Sequence, residues 1–398
     1  MEKIKIKFTS LFFISYLIIF VLDSVINYYT KIPVFVSFSM LFIPLSLLVI
    51  KLKPNNETNL YVLFVVLLLI STVVNIFRFS FSLKNISDLI FILIFATTIV
   101  LYNNNKIHIK SKYINWFSVV CLIMFYITFL GVDNTRWGNT LNSDSNDIEY
   151  LRAYKQGLFR IAHIAAYFFT FFGFYYLFLY AKYTKVKHLI LLSVMFSSVA
   201  LVGSRAPIFA VLLGFGLANL RLKYIKYIIL LIVAIILVVL NIDVILESTR
   251  GTVFFQYFSI FETVMSNFGR LSRVLIWTSF FEELAKFDFF DYLFGRGTNN
   301  AMLINEAKGL GKIWFHNDFL NIFYSFGMIS FVLYIFFYVN IYRVNKLCMN
   351  NTIIRTLFFT TILLAFFNGF YLYYTMFPLY IFYRILSVEE ENKVTLKK

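Results

Sequence analysis

Long apolar stretches alternate with short basic ones along this chain, and that alternation leaves few folds open to it. Twelve apolar blocks run over 9–27, 31–50, 59–77, 86–103, 113–131, 160–181, 188–202, 206–219, 227–242, 317–339, 353–370 and 373–387. Most approach the ~20 residues that a helix needs to cross a ~30 Å hydrocarbon layer. Membrane strands would instead be ~10-residue segments of alternating polarity, and these blocks do not alternate. With 60% of residues hydrophobic and 14% charged, a soluble globular domain is excluded. The expectation is an all-α polytopic integral membrane protein: a single membrane domain of about twelve transmembrane helices. The block at 9–27 follows MEKIKIK without a small-residue cleavage site, so it reads as a first helix rather than a signal peptide. The blocks at 188–202 and 206–219 are short and only Gly203, Ser204 and Arg205 part them, so they form a re-entrant pair or two tilted spans.

The positions of the basic residues orient the helices. A formal charge of +16 would suit nucleic acid, but the Lys and Arg fall in short clusters between apolar blocks. That is the signature of cytoplasmic loops. Lys51 and Lys53, Lys106 and Lys110, Lys182 and Lys185, Arg221 and Lys223, and Arg343 and Lys346 mark alternate connections. An even number of spans puts both termini on that cytoplasmic side. Cys121 and Cys348 lie in or beside apolar segments and read as small hydrophobes rather than a disulfide or a metal pair.

Two long segments then face outward, 132–159 and 243–315. Over 253–290 the apolar residues are punctuated by polar ones at helical steps, which predicts amphipathic helices near the membrane surface. The Gly- and Asn-rich 292–312 reads as a loop.

Cations gather on the same outer side. Arg160 and His163 share a helix face, Arg205 stands at the junction of two short blocks, and Arg250, Arg270, Arg273 and Arg296 lie in the larger outer segment. His316 opens the block at 317–339, with Asn317 or Asp318 as its N-cap. Each has an ordinary structural use. Arg160 can snorkel to lipid phosphate, His163 can bond a neighbouring helix, and Arg205 can cap helix carbonyls. Arg270, Arg273 and Trp277 can form the wet face of a surface helix. Together they suit phosphate chemistry: guanidinium forks match phosphate oxygens, and a histidine takes a proton near neutral pH. The outer acids show no metal-ligand spacing, and Asp144–Asp147 reads as a turn. No metal and no cofactor is expected. Asp23 and Asp88 are lone acids in apolar blocks that either reach the site or serve structure.

Four stretches carry a resemblance: GLFRIAHIAAYF at 157–168, LVGSRAPIFAVLLG at 201–214, GRLSRVLIWTSFFEEL and its continuation over 269–300, and FHNDFLNIFYSFGMISFVLYI at 315–335. In order and spacing the chain resembles the O-antigen polymerase and O-antigen ligase superfamily of bacterial envelope enzymes, although Ala206 stands where the family's turn usually has glycine. The resemblance implies a GT-C-like, metal-independent, inverting glycosyltransferase of the bacterial inner membrane, working at its periplasmic face. Its substrates would be undecaprenyl-diphosphate-linked oligosaccharides, the bilayer its surroundings, and a chain-length regulator its protein partner. His316, Arg270 and Arg273 would be catalytic. Arg160, His163, Arg205, Arg250, Arg296 and Asn317 would bind substrate. The 157–163 stretch, with His163, is more similar to polymerases than to ligases. The alternatives are a ligase that transfers the chain to lipid A-core, a transporter of lipid-linked sugars and, furthest from the pattern, a scaffold.

Overall fold

The computed structural model describes residues 56–79, 111–127, 157–159, 162–202, 204–219, 272–310, 313–344, 346, 348–367 and 369, and the isolated positions 22, 26, 248 and 386. At Arg205, Ser272 and Arg273 it describes the backbone alone. Every regular element among the described residues is helical: α1 Asn56–Phe79, α2 Ser111–Tyr126, α3 Ala162–Tyr183, α4 Val186–Val202, α5 Arg205–Asn219, α6 Ser272–Leu284, α7 Phe289–Phe294, α8 Thr298–Ala307, α9 Asp318–Val344 and α10 Thr352–Phe367, with a 3-10 turn at Cys348–Asn350. The apolar blocks at 9–27, 31–50, 86–103, 227–242 and 373–387 lie outside the described residues, apart from single positions.

α3 is the axis. It is apolar on all sides, and every residue from Ile164 to Tyr176 is buried. A helix without a polar face satisfies itself only by being surrounded. Its aromatic rings interlock with α2, where Phe117 meets Phe168 and Phe172 edge-on. Tyr176 shares a hydrogen bond with Ser118 and donates to Asn115 Oδ1, so the phenol polarity is met inside the bundle. α4 doubles back along α3, and α5 lies along α10.

Among the described residues, two helices, Ala162–Tyr183 and Asp318–Arg343, are long and apolar enough to cross a membrane. The second presents an apolar stripe of Met328, Ile329, Val332, Ile335, Phe336 and Val339 to the outside, while Ser330, Tyr334 and Tyr338 on its other face are buried. Exposed apolar residues at i, i+3, i+4 and i+7 are the inverse of a soluble helix.

α9 is broken at Gly327, whose φ of 83° and ψ of 178° leave the helix. That region is open essentially to glycine alone. A break inside an apolar helix must have its freed backbone groups satisfied by protein. Here the Arg296 N–H donates to the Tyr324 carbonyl at 2.7 Å and the Gly297 N–H to Ser325 at 3.1 Å. From α1, Asn75 Nδ2 donates to the carbonyls of both Phe294 and Ser325 at 3.1 Å. Residues expected to form a loop over 292–312 thus do two other things. They supply the partner strand of backbone for the break, and from Thr298 to Ala307 they form α8, bounded by Gly297 and Gly309. The loop reading of 292–312 is corrected accordingly.

Candidate functional site

The polar corner at 314–321 is built around one peptide plane. The Phe315 N–H donates to Asn321 Oδ1 at 3.1 Å, and the Phe315 carbonyl accepts from Trp277 Nε1 of α6 at 3.1 Å. Asn321 also donates through Nδ2 to the Asn317 carbonyl at 2.9 Å. Asn317 Oδ1 accepts the Leu320 N–H at 3.1 Å, so Asn317 is the N-cap of α9. Held between these bonds, His316 has φ of 51°. Left-handed backbone is uncommon for a residue with a side chain, though histidine is among those enriched there. Its half-buried ring lies against Trp314, with centroids 5.1 Å apart.

Below the turn, Gly369 closes α10 and sits where no side chain fits. A Cβ built there would come within 2.1 Å of the Trp314 indole and 2.7 Å of Asp318 Oδ1. The Gly369 carbonyl accepts from Tyr167 of α3 at 3.1 Å. Asp318 is fully buried at the first turn of α9, and its Oδ2 accepts from Tyr334, whose hydroxyl is 3.0 Å from that of Tyr338. Trp277 also packs edge-on against Phe366 near the end of α10. The start of α3, the start of α9, the end of α10 and the middle of α6 therefore meet at one end of the bundle.

His163, in the first turn of α3, bonds through Nδ1 to the buried Ser204 Oγ at 2.8 Å. This ties α3 to the turn between α4 and α5, and Arg205 is the first residue of α5. His163 therefore has the interhelical hydrogen bond that its ordinary reading anticipates. Arg273 lies one helical turn before Trp277, on the face that delivers the indole to Phe315. Arg160, Arg250 and Arg270 lie outside the described residues, as do Asp23 and Asp88.

Arg296 is expected among the substrate-binding cations, and in the structure its guanidinium is bonded to the framework. Its Nε donates to Asp291 at 2.8 Å and its terminal nitrogens to Asp291, Glu283 and the Lys286 carbonyl. Its face covers the Phe287 ring at 4.8 Å. Arg78 of α1 completes the network with bonds of 2.8 Å to Asp288 and Asp291. Burial alone would push the Asp291 carboxyl up. The Arg296 hydrogen bond, the Asp288 N–H and the charges of Arg296 and Arg78 outweigh it, and the group lies below its ordinary value.

Sequence reasoning passes over Asn321, Tyr334, Gly369 and the hydrogen-bonding role of Trp277. A signal for Asn321 exists. Asn317, Asn321 and Ser325 form a polar line at steps of four along a mostly apolar helix, and all three are buried and bonded.

No family model matches the chain, and neither a curated protein nor a solved structure does.

Proposed function

We propose that the chain is a polymerase of lipid-linked glycans at the outer face of a bacterial inner membrane. In this reading it spans the membrane about twelve times, with both termini cytoplasmic. The observation that carries the proposal is the meeting, at one end of the bundle, of the four stretches singled out in the sequence. His163 bonds Ser204, joining the first to the second, and Trp277 bonds Phe315, joining the third to the fourth. Around that meeting stand a histidine in a strained turn and two helices that begin with, or beside, an arginine.

In the proposed reaction His316 takes the proton from a sugar hydroxyl of a fresh lipid-linked repeat unit. The freed oxygen attacks the anomeric carbon of the growing chain and inverts it. The bond from that carbon to the diphosphate oxygen breaks, and undecaprenyl diphosphate leaves with the electron pair. Arg205, Arg270 and Arg273 offset the charge that builds on it. Arg160 and Arg250 extend the grip on the donor, and Asn317 shapes the turn that carries the histidine. No metal or cofactor takes part.

The break in α9 favours comparison with one other class, because transporters use discontinuous helices whose freed carbonyls coordinate ions. Here the Tyr324 and Ser325 carbonyls are occupied by Arg296, Gly297 and Asn75. A transferase is the better account.

The test uses purified protein, an undecaprenyl-diphosphate repeat unit from the host's own glycan cluster, and EDTA. A ladder of lipid-linked oligomers is the expected result. Transfer only after lipid A-core is added would make the chain a ligase, and substrate left intact in both cases would remove the transferase reading.

A further inference from the structure

The Phe315 peptide is gripped at both of its polar atoms by side chains from two different helices. Its N–H is held by Asn321 of α9 and its carbonyl by Trp277 of α6. Phe315 and Asn321 are fully buried, so the bond between them is shielded from water, while the Trp277 bond is partly buried. The residue that follows is His316, in left-handed backbone. Strained backbone persists only where its surroundings over-determine it, and these two bonds, with that from Asn321 to the Asn317 carbonyl, supply the constraint.

We infer that Trp277 and Asn321 are positioning residues for His316, and that Trp277 sets the register between the histidine turn and the helix that carries Arg273. The second part follows from spacing. Arg273 and Trp277 are four residues apart on one helix, so fixing the indole fixes the helical turn that bears the arginine. The two groups assigned opposite tasks in the transfer, one taking a proton and one receiving the leaving charge, are thereby referred to a single peptide plane. A misplacement of about 1 Å costs such a reaction about a hundredfold. The catalytic part of this inference rests on the function proposed above; the geometric part does not.

Trp277→Phe (W277F) keeps an aromatic ring against Phe366 and removes the N–H together with part of the indole's volume. Benzothienylalanine at position 277 keeps the whole indole shape without the N–H and serves if W277F does not fold. Asn321→Asp (N321D) keeps an acceptor for the Phe315 N–H and loses the donor to Asn317. The chain has four histidines, so with ring-labelled histidine the His316 resonance is the one lost in His316→Ala. The expected result is that W277F and N321D move the His316 resonance and leave that of His163 in place. In the ladder assay kcat should fall about tenfold, as for loss of one hydrogen bond, with KM for the lipid donor unchanged. In the His316→Ala background N321D should not lower the residual rate further, because Asn321 bonds only the histidine turn. A stationary His316 resonance, or losses that multiply in that double variant, would overturn the inference. A protein that makes no ladder at all defeats the proposed function, and the resonance alone then decides the positioning.

Discussion

Gly327 and Leu293 pack backbone against backbone: a Cβ built on Gly327 would lie 2.1 Å from the Leu293 carbonyl oxygen. Gly295 repeats the contact in the other direction, its built Cβ falling 2.4 Å from the Ser325 carbonyl carbon. Two glycines thus let an extended segment run inside the notch of a broken helix. Gly327→Ala should destabilise the protein by about 3 kcal/mol or more, combining unfavourable φ with overpacking. Thermal unfolding followed by monodisperse elution checks this. A wild-type melting temperature would mean that the notch is not closed.

The same notch depends on charge. A carboxyl with its folded pKa below its unfolded value stabilises the fold above the unfolded value, near 3.9 for Asp. That stabilisation is lost as pH falls through the folded value. Asp291 is such a group. Asp291→Asn should therefore melt earlier than wild type at neutral pH, and the gap should narrow as pH drops below about 4. A gap that stays constant down to pH 3 would show that the ion pairs with Arg78 and Arg296 contribute nothing through the carboxylate charge.

Ser204 gives the second joint its own test. Its hydroxyl is buried and 2.8 Å from His163 Nδ1. Ser204→Ala should cost about 1 kcal/mol of stability by removing one buried hydrogen bond. It should also raise KM for the lipid donor, since Arg205 follows directly in the chain. A stability loss with unaltered KM would assign the bond to helix packing alone.

Helix positions were largely legible because apolar length and caps are local. The block at 160–181 corresponds to Ala162–Tyr183, and the polar corner at 316–318 does start a helix, with Asn317 capping it. The break at Gly327 was not legible, since its cause is the backbone of Leu293 and Phe294, more than thirty residues upstream. α8 was hidden by its Gly and Asn content. The partners of Arg296 were hidden for a related reason. Clustered arginines near a membrane surface imply phosphate only if their forks are open, and this one is closed by Asp291 and Glu283. The hidden parts are those decided by partners distant in the chain.

That difference between a closed and an open fork yields the last prediction. Arg296→Lys keeps the charge but cannot serve Asp291, Glu283 and the Lys286 carbonyl together. It should lose about 1–2 kcal/mol of stability while KM for the lipid donor and kcat at permissive temperature hold. Arg273→Lys should do the reverse. A point charge replaces a planar fork at a group proposed to meet the leaving diphosphate, so the melting temperature should hold while kcat falls about tenfold or more. The two lysine variants, measured side by side for melting temperature and initial rate, separate framework from chemistry. If Arg273→Lys turns over like wild type, bidentate recognition at that position is wrong. If Arg296→Lys loses its donor affinity at unchanged stability, then Arg296 belongs with the substrate-binding cations after all.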